Sequence, residues 1–380
     1  MPFMHKFWRH IRKNSLLVLV WFCLLSLLSF FVVAHYPVNP SFPYYNLIMH
    51  YWPHPSSAVW GYFDGTHYIR LATVGYVDIG TQAFFPLYPL IVKTLAALTS
   101  LPLYPVAVGL NLVWLIFTLT IIIYLFPRAS WIVTLAVLFF PTSFFFAAIY
   151  SESLFFCLSL LFFLLLHRRH WWLAAAVASL ASATRLVGAL LAPTLLIAYL
   201  SVSPKPPQIR DPRYYLQAAL LTFTASLGFF AYLIFLFIEY RDPLMFLHVQ
   251  PMFGAERSAG EIILLPQVIY RYLKMIFTVD THSWLCQRIW LELGFFVIAV
   301  VAWIRNFSRT SLAVNFYVGA SLLLPTLTGT LSSIPRYTLV LIPFLLPPDL
   351  PKKYFYMLLG ISIALLLYLF TLFTRGSFVA

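Results

Sequence analysis

The run LLVLVWFCLLSLLSFFVV, from Leu16 to Val33, contains no charged residue. As a helix it is long enough to cross the ~30 Å hydrocarbon core of a bilayer. The basic residues before it are typical of a cytoplasmic N-terminus, but a signal peptide can begin in the same way. Because Ala34-His35-Tyr36-Pro37 is a poor cleavage site, we interpret the run as an uncleaved first span whose N-terminus is cytoplasmic.

The composition of the whole chain has the same character. Hydrophobic residues make up 62% of its 380 residues and charged residues only 9%, whereas soluble domains carry ~25% charged residues. The predicted fold class is therefore all-α, a polytopic transmembrane helical bundle. The net charge of +13 is explained by basic loops that stay in the cytoplasm, so it does not indicate a nucleic-acid partner. Three scattered cysteines, Cys23, Cys157 and Cys286, predict neither a disulfide framework nor a metal site.

Basic residues next to membrane spans are expected to stay in the cytoplasm. For two apolar segments, a single crossing by one helix would violate this expectation. A crossing by Phe84 to Thr99 would put the cluster His167-Arg168-Arg169-His170 outside, so we predict an interfacial helix there. Trp171 to Leu200 has basic residues on both flanks, with Lys205 and Arg210 after it. Two half-helices that meet at Ala183-Thr184-Arg185 would keep both flanks inside and place Arg185 at an outward tip.

With these choices the chain is one transmembrane domain over residues 1–380 that makes about eleven crossings. Two large segments lie outside, a first outer loop at 37–103 and a second outer segment at 239–288. Most acidic residues and several arginines fall on this outer side. Carboxylates and guanidinium groups beside an apolar body suit a substrate with an anionic head and a lipid tail, so we expect the chemistry there.

Asp64 is the strongest single candidate for catalysis. It lies in Trp60-Gly-Tyr-Phe-Asp-Gly-Thr-His67, among aromatic residues that would partly desolvate its carboxylate and make it a stronger base. The structural alternative is a helix cap or an Asp-Gly turn, and these residues alone leave both open. His67 is a phosphate ligand or an anchor of an interfacial helix.

Other polar residues at the predicted outer ends of spans are candidate substrate ligands. Glu152 follows Ser151 where a helix would begin, so a role in the first helical turn is the alternative to function. Arg185 at a break within the membrane requires a cavity or a partner. Arg336 either binds substrate or anchors the chain to lipid headgroups. Weaker candidates in the second outer segment are Gln250, Glu256 and Arg257.

Together these residues form a pattern that resembles the GT-C glycosyltransferases, which use polyprenyl-phosphate sugars. More narrowly, the chain is similar to the family of the enzyme that adds the second mannose to glycosylphosphatidylinositol. The motifs that match, in chain order, are Phe63-Asp64-Gly65 with His67-Tyr68 and Gly75-Tyr76, Phe84-Phe85-Pro86-Leu87-Tyr88-Pro89, Phe140-Pro141-Thr142-Ser143, Tyr150-Ser151-Glu152-Ser153-Leu154-Phe155, Thr184-Arg185 with Gly188, and Pro335-Arg336-Tyr337. The chain departs from the family at Phe63, where Trp is usual, and at Met252-Phe253-Gly254, where relatives tend to carry Trp-Gly-Arg.

The resemblance implies a GT-C-like fold with juxtamembrane helices in the first outer loop. It also implies an inverting mannosyltransferase that faces the extracytoplasmic or lumenal side, with Asp64 as general base and no metal or cofactor. Its partners would be a polyprenyl- or dolichyl-phosphate mannose donor, membrane lipids and a glycan, lipid or protein acceptor. The residues expected to bind the donor phosphate or the substrates are Arg185, Arg336, Arg257, His67, Glu152, Gln250 and Tyr150.

Two other classes of function stay open. A transporter or flippase for lipid-linked sugars could use the arginines as a path for the headgroup. Transporters tend to carry broken helices in corresponding halves, and the only broken helix that the sequence predicts, Trp171 to Leu200, has no matching half. The third class is a scaffold subunit, which would tolerate changes at Asp64 and Arg185.

Overall fold

The computed structural model describes residues 2–38, 44–202, 212–255, 257–347 and 350–379. Across these residues the secondary structure consists of helices and turns, with no strand. The prediction of an all-helical chain is confirmed. Three residues that the sequence predictions use lie outside the described residues, namely Lys205, Arg210 and Glu256.

Seventeen α-helices follow one another along the described parts of the chain. They are α1 (Pro2–His35), α2 (Tyr45–Tyr51), α3 (Pro55–Ala58), α4 (Asp64–Val74), α5 (Leu87–Thr99), α6 (Leu103–Leu125), α7 (Ser130–Leu138), α8 (Glu152–His167), α9 (Trp171–Ser182), α10 (Leu191–Ser201), α11 (Pro212–Tyr240), α12 (Met245–His248), α13 (Leu265–Thr278), α14 (Trp284–Asn306), α15 (Leu312–Leu323), α16 (Ile334–Leu345) and α17 (Lys352–Thr374).

Five helical ranges among the described residues are long and apolar enough to cross a membrane. They are His5–His35, Leu103–Leu125, Pro212–Tyr240, Trp284–Arg309 and Lys352–Thr374. Six shorter apolar helical ranges have 10–17 residues each. A helix of that length reaches ~15–25 Å, which is less than the ~30 Å hydrocarbon core. The number of eleven crossings therefore stays a prediction.

One of the short helices is α5, which has 13 residues. It covers the segment for which the sequence predicts an interfacial helix. At ~20 Å it is too short to cross the hydrocarbon core upright. Its position in the interface of the membrane stays a prediction.

The helical break predicted at Ala183-Thr184-Arg185 is confirmed. The α9 helix ends at Ser182, and the next turn is a 3₁₀ segment, Leu186–Leu190, that leads into α10. The Thr184 hydroxyl donates to the Ala181 carbonyl oxygen at 2.6 Å and satisfies one of the acceptors at the helix end. Arg185 has extended backbone, with φ −156° and ψ 150°. The side of the membrane on which this break lies stays a prediction.

The chain divides into two compact units. The first unit comprises Met1–Val77, Leu87–Leu160 and Pro348–Val379, and the second comprises Asp78–Pro86 and Leu161–Pro347. Of the predicted site residues, Asp64, His67, Tyr150 and Glu152 belong to the first unit. The second unit contains Arg185, Gln250, Arg257 and Arg336.

In the first unit, α1 packs against α6 and α17. The Asn14 side chain donates to the Thr120 hydroxyl at 3.0 Å, which pairs two polar groups inside an otherwise apolar helix contact. Aromatic rings of α17 pack against the turn before α4 and against the segment before α8, where Trp60 contacts Phe370 and Phe144 contacts Phe373. This packing supports the turn that leads to Asp64.

In the second unit, α9 packs closely against α11. Gly228 makes this possible, because a Cβ atom at that position would collide with the Ser179 carbonyl oxygen. The hydroxyls of Ser179 and Ser182 accept from the backbone N–H groups of Gly228 and Phe229, at 2.9 and 3.0 Å. Small residues that let two backbones approach are typical of helix contacts in membranes.

Candidate functional site

Asp64 is the first residue of α4, and its side chain is half-buried. The residue before it, Phe63, occupies the cap position with φ 52°. An aromatic residue in that region of backbone space is strained, and such strain persists only where the surroundings hold it. The Phe63 ring packs against Phe373 and Phe378, with ring centroids 5.4 and 5.3 Å apart. Phe63 takes the cap position and Asp64 lies in the first turn of the helix, so the structural alternative to catalysis is a carboxylate at the N-terminus of α4.

A second segment, residues 148–151, clamps the turn before Asp64. The Ile149 N–H donates to the Trp60 carbonyl oxygen at 2.6 Å, and the Tyr150 hydroxyl donates to the Tyr62 carbonyl oxygen at 2.9 Å. Tyr150 has no exposed surface. It therefore holds the backbone that carries Asp64, a role that differs from the predicted contact with substrate.

The side chain of His67 is also mostly buried, with 9% of its surface exposed. Its ring meets the ring of Tyr44 edge-on, with centroids 4.5 Å apart. Both alternatives from the sequence, phosphate contact and an anchoring role, stay predictions.

Glu152 begins α8 and is fully buried. A carboxylate that is removed from solvent in this way requires polar neighbours. The neighbours belong to a group that we call the tyrosine cluster, which consists of Tyr68, Tyr88, Asn111, Ser151 and Glu152. Tyr68 and Ser151 share a hydrogen bond of 2.9 Å between their hydroxyls, and the rings of Tyr68 and Tyr88 are 5.0 Å apart.

Burial raises the pKa of the Tyr88 phenol well above its usual value. A hydrogen bond with Asn111 acts in the opposite sense, and Tyr68 and Glu152 raise the pKa further. The Asn111 amide also donates to the Tyr150 carbonyl oxygen at 3.3 Å and to the Ala148 carbonyl oxygen. The tyrosine cluster is thus joined to the segment that clamps the Asp64 turn.

In the second unit, the predicted ligands gather at the start of α16. Arg336 lies in the first turn of this helix and has 6% of its surface exposed. Arg257 donates to the Gln250 side-chain oxygen at 3.1 Å and to the Ser333 hydroxyl at 3.5 Å. The guanidinium of Arg185 lies 5.3 Å from the centre of the Tyr337 ring, a cation–π contact. A concentration of guanidinium groups suits an anionic ligand.

Three further residues next to this region were missed by the sequence analysis. They are Tyr272 on α13 and Arg288 and Glu292 on α14. Arg288 Nε donates to Glu292 Oε1 at 2.6 Å, and Glu292 has 3% of its surface exposed. Arg288 and Glu292 could have been found in the sequence as a charged pair four residues apart inside an otherwise apolar helix. Tyr272 could not have been found in this way, because it comes from another helix, α13.

Among the residues that the structure describes, no group of three or more His, Cys, Asp or Glu side chains could hold a metal ion. Comparisons of the chain with protein-family models, with curated proteins and with solved structures find no match. The function is therefore inferred from the residues and their geometry.

Proposed function

We propose that the chain is a membrane glycosyltransferase that moves a sugar, mannose, from a polyprenyl- or dolichyl-phosphate carrier to an acceptor hydroxyl at the extracytoplasmic or lumenal face. The observation that carries this proposal is the setting of Asp64. Its carboxylate is half-buried at the start of α4, after a strained residue and on a turn clamped by residues 148–151. Strain that the surroundings hold in place is typical of functional sites.

In this mechanism the Asp64 carboxylate accepts the proton of the acceptor hydroxyl as its oxygen attacks the anomeric carbon of the donor sugar. The new bond joins that carbon to the acceptor oxygen. The bond between the anomeric carbon and the phosphate oxygen breaks, and the phosphate monoester leaves with the bonding electrons. A single displacement inverts the anomeric centre. Help from a positioned general base is worth ~10²- to 10⁴-fold in rate.

The leaving phosphate gains negative charge, and fixed cations stabilise that change. The group around the start of α16 has the composition for this task, since Arg185, Arg257 and Arg336 all lie at or beside it. Guanidinium groups can hold two phosphate oxygens at once. These arginines support a phosphate-bearing donor over a neutral one.

One observation favours a second candidate, a flippase for lipid-linked sugars. The interrupted helix between α9 and α10 carries an arginine at its break, and transporters bind substrates at such interruptions. A flippase would bind the same donor and move it across the bilayer without breaking the bond to phosphate.

The test uses the purified full chain in lipid nanodiscs with radiolabelled polyprenyl-phosphate mannose and a crude pool of lipid, glycan and peptide acceptors. Wild type is compared with Asp64→Asn and with Asp280→Asn, which makes the same change at an exposed carboxylate. We expect label to reach an acceptor with wild type and Asp280→Asn and to stay on the donor with Asp64→Asn.

Each other outcome contradicts a definite part of the proposal. If Asp64→Asn transfers label as fast as wild type, Asp64 is not the base. If the protein binds the donor and, in vesicles, moves it across the bilayer without transferring its sugar, the chain is a flippase. If the donor does not bind at all, the substrate class is wrong.

A further inference from the structure

Tyr272 on α13 and Arg288 on α14 join the buried carboxylate of Glu292 to one short segment before α16. We call Tyr272, Arg288 and Glu292 the Glu292 network. Arg288 donates through Nε to Glu292 Oε1 at 2.6 Å and through Nη2 to the Ser332 hydroxyl at 2.7 Å. One guanidinium therefore joins the buried carboxylate to the segment.

Tyr272 makes the second connection. Its hydroxyl donates to Glu292 Oε2, accepts from the Leu331 N–H at 3.0 Å and lies 3.1 Å from the Thr330 hydroxyl. Burial, and after it the negative charge of Glu292, raises the pKa of this phenol. The hydroxyl is thus protonated at neutral pH and able to donate to the carboxylate.

The segment that receives these bonds has a shape that most sequences would not adopt unaided. Gly329 and Ser333, at its two ends, have φ 93° and 68°. Side chains between them are almost fully buried, with Thr330 at 5% and Ser332 at 4% exposure. Positive φ angles are uncommon, and such a backbone conformation persists only where its surroundings hold it. The conformation of this segment therefore depends on the side chains that bond to it.

Stability alone is a weak explanation for the Glu292 network. Burying an ion pair desolvates two charges, and apolar residues of similar volume often stabilise a protein as well or better. A buried network whose partners are satisfied does fix one arrangement of the groups it joins. Here Arg288 and Tyr272 also bond to residues 330–332, Arg288 to Ser332 and Tyr272 to Thr330 and Leu331.

We propose that the Glu292 network is a positioning device: it fixes residues 330–333 and through them the orientation of Arg336 and of Ser333, which Arg257 contacts. Arg336 follows Ser333 by three residues in the first turn of α16, so a shift of the segment shifts its guanidinium. As far as the ligand is concerned, this inference rests on the proposed function. Tyr272, Arg288 and Glu292 are positioning residues for the phosphate group of the donor.

Two variants change the network with little change in volume. Tyr272→Phe removes the hydroxyl, and Glu292→Gln removes the charge of the carboxylate. The matched control is Tyr270→Phe, which removes a phenol hydroxyl on the same helix from a side chain that is 67% exposed. All are compared with wild type as full chains in the same nanodiscs.

The first measurement is amide hydrogen exchange, which needs no substrate. We expect exchange at Leu331 and Ser332 to be faster by about five- to tenfold in Tyr272→Phe, because one hydrogen bond contributes about 1 kcal/mol. Exchange in the interior of α16 and in the first unit should equal wild type. Tyr270→Phe should leave every site unchanged.

The second measurement is binding of farnesyl phosphate, a short lipid phosphate, together with the KM for polyprenyl-phosphate mannose. We expect both variants to weaken farnesyl phosphate binding and to raise the KM by about tenfold, measured at a temperature well below the unfolding midpoint of each variant. A purely structural role would lower the midpoint and leave the KM of the remaining folded protein at the wild-type value, so the KM decides between the two roles.

The two measurements separate the inference from the proposed function. Wild-type exchange at Leu331 in Tyr272→Phe would overturn the inference even if wild type transfers mannose. Faster exchange with undiminished farnesyl phosphate binding would overturn the link between the segment and the phosphate. If wild type binds no lipid phosphate, the proposed function is wrong, and so is the role of the Glu292 network in phosphate binding. The exchange data still decide whether the network fixes residues 330–333.

Discussion

The hydroxyl of Tyr150 lies 2.9 Å from the carbonyl oxygen of Tyr62 and donates a hydrogen bond to it. One residue, Phe63, lies between Tyr62 and Asp64, and its backbone is strained, with φ 52°. A bond to this turn from a segment more than eighty residues further along the chain fixes the direction in which α4 begins. The candidate base is therefore oriented by long-range packing as well as by its own helix.

The first prediction concerns this bond. Tyr150→Phe removes the hydroxyl and leaves the ring, so the aromatic packing persists and the Tyr62 carbonyl loses a donor. We expect kcat to fall by about tenfold, which corresponds to ~1.4 kcal/mol and is near the value of one buried hydrogen bond. The KM for the donor should change little, because Tyr150 does not reach the surface.

The control for this variant is Tyr215→Phe, which removes a hydroxyl from an exposed tyrosine on α11. It should keep wild-type kcat. An equal loss of kcat in both variants, or no loss in either, would show that the clamp does not orient the base.

The second prediction concerns Arg336. Arg336→Lys keeps the positive charge but loses the planar fork that can hold two phosphate oxygens. We expect kcat/KM for the polyprenyl-phosphate donor to fall by about 10- to 100-fold, or ~1.4–2.8 kcal/mol of transition-state stabilisation. Single-turnover kinetics measure this. Arg305→Lys, at an exposed site in the last turn of α14, is the matched control and should keep wild-type activity.

The third prediction concerns the contact between α9 and α11. Gly228→Ala would drive a methyl group into the Ser179 carbonyl oxygen, so the helices must separate. Overpacking of this kind destabilises by ~1–3 kcal/mol, and the unfolding midpoint in detergent should fall. Gly294→Ala on α14 adds the same methyl group where no atom lies within 4 Å. That variant should be as stable as wild type, and a fall of the same size in both would contradict the assignment.

How much of this the sequence could predict depends on the range of the interaction. Hydropathy and basic flanks act locally, and they predict the helical class and the break beside Arg185. The residues of the Asp64 motif are neighbours in the sequence and begin one helix, so a short-range pattern is enough to single them out. Tyr272, Glu292 and Thr330 meet from three separate parts of the chain, and no pattern of neighbours records that meeting. The close approach at Gly228 is hidden for the same reason, since nothing in the sequence says that Ser179 lies opposite.

The side of the membrane on which the proposed chemistry occurs gives the last prediction. Basic residues decide orientation during insertion, and the sequence predicts that 239–288 is outside while the loops with Arg168 and Arg309 are inside. We replace Cys23, Cys157 and Cys286 by alanine and introduce one cysteine at a time, either Thr281→Cys or Ser308→Cys. A membrane-impermeant maleimide added to intact cells or sealed right-side-out vesicles should label Thr281→Cys only. Permeabilisation should add labelling of Ser308→Cys, because that residue lies at the opposite end of the Trp284–Arg309 range. The reverse order of labelling would place the second outer segment, and with it Arg257, in the cytoplasm, where a donor presented at the outer leaflet could not reach it.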